Sequence, residues 1–176
     1  MSSGAAMGLM DFTNAGSEKQ CAAGTVAKER RILLCIDEFP NSRRAVQYVG
    51  KLLGNSEHFM VTILNIVEES DPDQFQDQHA ARQYMQEKKE KAQKVLSEAR
   101  DILITMGVPE RAIVVEFDQR RCESLSQCIL EKQRTHEFGT IVLGRRGISK
   151  DEEFLFGSVC TKVIRYAREC TIWVVE

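Results

Sequence analysis

Thr140-Ile141-Val142-Leu143-Gly144-Arg145-Arg146-Gly147 is an apolar run that breaks into a glycine-bounded basic loop, and Gly157-Ser158 follows after nine further residues. A helical pattern comes next, with Val159, Val163, Ile164 and Ala167 on its inward side. Strand, glycine loop and helix in that order form part of a parallel crossover unit. Glycine has no Cβ and tolerates φ > 0, so such a loop can bring its N–H groups close to an anion. The unpaired N–H groups of the next helix's first turn add about half a positive charge at that point.

The same alternation recurs on both sides of this unit. Arg31 to Ile36 is a continuous apolar run ending in Asp37, as a strand buried on both faces would be. Phe39 to Ser42 reads as a turn, and Asn41 or Ser42 is the expected cap of a first helix. That helix carries Ala45, Val46, Val49, Leu52 and Leu53 inward and closes at Gly54-Asn55. His58 to Val67 is a second buried strand, followed by a polar loop containing Pro72. A long helix is expected from about His79 to Met106, stopped by Gly107-Val108-Pro109. Ala112 to Phe117 is a third strand, and Glu123 to His136 a third helix with Leu125, Ile129 and Leu130 inward. Gly139 to Leu143 is a fourth strand, Ser158 to Glu169 a fourth helix, and Thr171 to Val175 a fifth strand. The alternation implies an α/β domain: a doubly wound, five-stranded parallel sheet in the order 3-2-1-4-5.

The 176 residues suit one domain, read here as a disordered tail over 1–30 and a folded unit over 31–176. A net charge of -2, well mixed along the chain, gives no general attraction to nucleic acid or to an anionic membrane. No apolar run approaches the roughly 18–20 residues that span a bilayer. The apolar cluster Ala5 to Met10 is short for a secretory core and lacks a preceding basic residue, so a cytoplasmic location is expected. None of the six cysteines forms a C-x-x-C pair. They read as free thiols of a reducing compartment, with Cys122 and Cys128 as the exposed candidates for redox sensing. His58, His79 and His136 show no catalytic or metal-binding spacing. The run Glu87 to Lys94 reads as the wet face of the long helix.

Ligands of open α/β sheets sit beyond the carboxyl ends of the strands, where strand order reverses. Strands 1 and 4 would bring Asp37 and the Gly144 to Ser158 loop to that point. The spacing G-x2-G-x9-G-S resembles the phosphate loop of the ATP-binding branch of the universal stress protein family. Asp37, Ser42 and Ala45 match the family's first-strand aspartate with its serine and alanine, and Asn65-Ile66 stands where a His-Val pair is frequent. The resemblance covers residue 31 to the end and implies an adenine nucleotide alpha hydrolase-like fold.

It also implies the following roles. Asp37 would reach the ribose or the metal side of the phosphates, and the Ile66 backbone would meet the adenine edge. Ile36 and Leu143 would wall the pocket. Gly144, Arg145, Arg146, Gly147, Gly157, Ser158 and Val159 would cradle the phosphates. ATP is the implied ligand, with Mg²⁺ or Mn²⁺ held mainly by phosphate oxygens; AMP and cyclic AMP are alternatives. Family members dimerise through the final strand, here Thr171 to Val175.

Two departures bear on that expectation. Glu38-Phe39 stands where the family has Gly-Ser, and Asp151-Glu152-Glu153 offsets Arg145, Arg146 and Lys150 in the loop. A dimeric scaffold without nucleotide is the competing reading. No G-x4-G-K-[ST] loop or nucleophile pair is present, so enzymatic activity is not expected beyond slow ATP hydrolysis.

Overall fold

The computed structural model describes residues 26–69, 75, 77–145 and 159–176. Nine α-helices and strands alternate along the described residues. They are β1 (Arg31–Cys35), α1 (Pro40–Leu53), β2 (Met60–Glu68), α2 (Gln78–Thr105), β3 (Ile113–Arg120), α3 (Leu125–Thr135), β4 (Thr140–Gly144), α4 (Val159–Tyr166) and β5 (Thr171–Val175). All pairings are parallel, and the strand order is β3-β2-β1-β4-β5, as the alternation predicts.

Period-two alternation on β1 divides its apolar residues between two cores. Ile32 and Leu34 pack with Ala45, Val46 and Val49 of α1 and with Leu96, Ala99 and Leu103 of α2. Leu33 packs on the opposite face with Ile129 and Leu130 of α3 and Val163 of α4. A strand covered on both faces has no solvent side, which is why β1 reads as an unbroken apolar run.

Several element ends differ from the sequence expectation. Helix α1 starts at Pro40 with Phe39 as its N-cap and no side-chain cap, rather than at Asn41 or Ser42. Pro40 at the first helical position brings no N–H of its own, and the Ser42 N–H donates to the Phe39 carbonyl at 3.0 Å, which does the work of a side-chain cap. Ser42 is buried inside the first turn instead. Asp77 and Ser124 do cap α2 and α3, each accepting from a backbone N–H in the first turn. Strand β3 continues past Phe117 to Arg120, because β2 stays alongside it as far as the Glu68–Arg120 pair. Its charged residues are accommodated at the sheet edge by ion pairs of Glu116 with Lys132 and of Asp118 with Arg120. Leu52 and Ile164, expected inward, are more than half exposed.

The cysteine expectation also changes. Cys128 is buried in the first turns of α3 and is joined by a disulfide to half-buried Cys122, with Cα atoms 6.1 Å apart. Cys35 and Cys170 are half-buried thiols, and Cys160 is a buried one whose Sγ donates to the Gly144 carbonyl at 3.8 Å. Residues 28–30 form a short 3-10 turn, and the backbone of Lys28 and Glu29 lies close against Gly139.

Candidate functional site

The site is built where β1 ends. The Ile36 N–H still donates to the Leu64 carbonyl at 2.9 Å, the last ladder bond between β1 and β2. Beyond it the chain turns into α1. Asp37 is the hub of that turn: its N–H donates to Ser42 Oγ at 2.9 Å, while Ser42 Oγ and the Phe39 N–H donate to its Oδ1 at 2.6 and 3.1 Å. The spacing Asp37…Ser42 is therefore a mutual clasp between the strand end and the first helical turn.

Strand β2 outruns β1 by Asn65 to Glu68. N–H and C=O of one strand residue point to the same side, and the sides alternate. Leu64 offers its carbonyl toward β1, so Ile66 turns its N–H and C=O the same way, past the end of β1. Asn65 is buried; its Nδ2 donates to the Ile36 carbonyl at 2.9 Å, and its Oδ1 has no partner among the described residues.

A cavity of about 530 Å³ lies at this step. Asp37 and Glu38 line it from the β1 turn, Asn65 to Glu69 from the end of β2, Tyr84, Lys88, Lys91, Ala92 and Val95 from α2, and Leu125 from α3. Its charged lining is four carboxylates against two ammonium groups. That balance favours donors such as ribose hydroxyls and an amino group, and it disfavours a phosphate at this end. A smaller cavity of about 260 Å³ shares Asp37 and Glu38 and runs between α1 and α2, with Ile36 in its wall.

The expected phosphate end is different. Arg146, Gly147, Gly157 and Ser158 lie outside the described residues. Gly144 is described, and its backbone abuts α1: an added Cβ would lie 2.6 Å from the Asn41 carbonyl group and 2.8 Å from the Ser42 nitrogen. Close packing explains this glycine without a ligand. The Arg145 N–H donates to the Val175 carbonyl at 2.7 Å, its carbonyl accepts from the Asn41 amide, and its guanidinium pairs with Glu176 at 2.8 Å. Arg145 is thus tied to the C-terminal strand. Leu143 is buried in the second core, and Val159 packs at that core's margin.

Sequence reasoning missed Tyr84, Lys88 and Lys91. Their steps of four and three continue through Val95 into the core side of α2. The charge alternation of this stretch suggested a wholly wet face and hid the stripe. No group of three or more metal-ligating side chains occurs among the described residues. His136 lies at the C-terminal end of α3, beside Phe138 and the start of β4, at the opposite end of the strands from the cavity.

Known proteins share this architecture. The model of the universal stress protein family matches residues 29–176, and the chain belongs to that family. Among solved structures, universal stress protein UspA from Lactobacillus plantarum superposes with a TM-score of 0.66 at 18% identity, covering 85% of this chain and 99% of that one. The universal stress protein from Archaeoglobus fulgidus in complex with dAMP gives 0.57 at 16% identity, with 85% and 100% covered. A universal stress protein in complex with cAMP gives 0.59 at 18% identity, with 85% and 98% covered. At these identities the likeness is one of fold. No curated protein matches the sequence significantly. Among the described residues, no helix is long and apolar enough to cross a membrane.

Proposed function

We propose that the chain is an adenine-nucleotide-binding regulatory module, with ATP as the ligand, that works as a homodimeric switch. The carrying observation is the cavity at the step between β1 and β2, which gathers Asp37 and the Ile66 backbone around one space of nucleoside dimensions. Its carboxylates suit the ribose hydroxyls. The Ile66 N–H and C=O form a donor–acceptor pair matching the N1 and 6-amino positions of adenine. The cAMP and dAMP held by two structures of like fold support the same ligand class.

The phosphates would extend from this cavity toward the end of β4, and an accompanying divalent ion would rely on their oxygens, with Asp37 the nearest carboxylate on the β1 side. The ion would neutralise phosphate charge. The protein's part is to orient the ribose and the base. Among the described residues the one hydroxyl on a carboxylate here is Ser42 on Asp37, and it is buried within the clasp, so hydrolysis would be slow at most.

Calorimetric titration with Mg·ATP, AMP and cyclic AMP tests the reading. Uptake at sub-millimolar nucleotide, weakened about tenfold in Asp37→Asn, is the expected result. That variant keeps the clasp's shape while losing its charge. Failure of all three nucleotides to bind at millimolar concentration would leave the dimeric scaffold. Arg145, already paired with Glu176, is the observation that favours that second reading.

A further inference from the structure

The disulfide between Cys122 and Cys128 brackets the start of α3. Between its two ends lie Ser124, the helix cap, and Leu125, which lines the large cavity. We infer that this pair is a reversible thiol-modification site, exchanging with small-molecule disulfides of the glutathione class, and that its state sets the order of the cavity wall at Leu125.

The placement of the cysteines supports this. Cys122 is half-buried on the connection between β3 and α3, next to exposed Arg121 and Glu123, where a small disulfide can reach it. Cys128 is buried directly behind it and serves as the resolving thiol. The other described thiols are poorer targets. Cys160 is buried, and burial together with nearby Cys160 pushes the Cys35 thiol far up, out of the reactive thiolate range. Burial also raises Cys170, partly offset by Lys28.

The exchange balances as follows. Cys122 loses its proton to solvent, and its sulfur attacks one sulfur of RSSR. The RS–SR bond breaks, a mixed disulfide forms on Cys122, and RS⁻ leaves to take up a proton. Deprotonated Cys128 then attacks the Cys122 sulfur, forming the intramolecular bond and releasing the second RSH. Two cysteine thiols are oxidised, and one RSSR is reduced to two RSH.

The bridge shortens the free connection that must hold Ser124 in its capping geometry. Ser124 accepts from the Gln127 N–H through both its carbonyl, at 3.0 Å, and its Oγ, at 3.4 Å, and its carbonyl also accepts from the Cys128 N–H at 3.2 Å. Opening the bridge frees residues 121–124 to fray, and Leu125 loosens with them.

The test equilibrates the full-length protein with reduced and oxidised glutathione at graded ratios. Differential alkylation with mass spectrometry locates the bridge, and hydrogen exchange follows the Gln127 and Cys128 amides. Cys122 and Cys128 should pass together between thiol and bridged forms while Cys35 and Cys160 stay unmodified. The two amides should exchange about fivefold or more faster in the reduced form, and Cys122→Ser should exchange like the reduced protein under all ratios. Absence of the bridge at every ratio overturns the proposal. So does a bridge that withstands millimolar dithiothreitol under native conditions, or equal exchange in the two forms.

The effect on ligand rests on the nucleotide reading above and is measured separately. ATP should bind the bridged form about three- to tenfold more tightly. Equal affinity in both forms overturns the link to the cavity. Binding to neither form refutes the nucleotide reading, and alkylation and exchange then decide the thiol site alone.

Discussion

Gly144 shows how one residue can carry two explanations. A glycine after a strand and before a phosphate-type loop invites a ligand reading, yet the Asn41 and Ser42 backbone already occupies the space a Cβ would need. Gly144→Ala should therefore cost about 1–3 kcal/mol of stability through overpacking, seen as a lower urea midpoint without any nucleotide present. Unchanged stability would mean that the contact yields. His136 makes a second residue-level prediction. Partial desolvation of a largely exposed ring, reinforced by the Lys132 ammonium, holds its imidazole below the ordinary value of 6.5. The unfolded chain then binds the proton more readily than the folded one, so stability is full above pH 6.5 and falls as the pH drops through the folded value. His136→Gln should flatten that decline in chemical denaturation between pH 7 and pH 5, and an unchanged slope would assign it to other groups.

At the scale of elements, α2 decides the site's character. Its core stripe was legible from Ala92, Leu96, Ala99 and Leu103, because three- and four-residue apolar steps mark a buried helix face. Its cavity stripe was not, because Tyr84, Lys88 and Lys91 differ little in type from their solvated neighbours and only position distinguishes them. The same contrast runs through the fold. The continuous apolar runs of β1, β2 and β4 announced buried parallel strands, and Asp37 stood out as the first charge after one of them. The end of β3 was hidden, since Asp118 and Arg120 look like loop residues until their ion pair is seen. The pair of Glu116 with Lys132 anchors α3 to that edge, and the lysine is only 8% exposed. Glu116→Ala should cost about 1–3 kcal/mol, because it leaves a buried ammonium without its partner. The double replacement Glu116→Leu with Lys132→Met should recover most of that loss in the same denaturant titration. No recovery would mean that packing, not desolvation, dominates the single variant.

For the whole molecule, the open question of assembly falls on β5, whose outer edge has no partner strand among the described residues. The Thr171 N–H donates to the Gly139 carbonyl, and the Val175 carbonyl accepts from the Arg145 N–H. Alternation then turns the N–H and C=O groups of Thr171, Trp173 and Val175 toward β4, and those of Ile172 and Val174 outward. Exposed Tyr48 of α1 flanks the strand on one side, its ring edge-on to Trp173 at 6.0 Å between centroids, and exposed Leu52 follows it one turn along the same helix. An edge of this kind, with an apolar margin, suits pairing with a second copy. Two proline substitutions compare pairing with folding: each removes one N–H from an extended strand that tolerates proline's φ, together with a side chain that packs on a core margin, Val174 on one and Trp173 on the other. Val174→Pro deletes an outward donor, and it should yield a folded monomer by light scattering at concentrations where the parent chain has a dimer's mass. Trp173→Pro deletes a donor to β4, and it should lower stability as well. A parent chain that is monomeric across the micromolar range would remove the dimer from the proposed switch, and a dimeric Val174→Pro would move the interface to another surface.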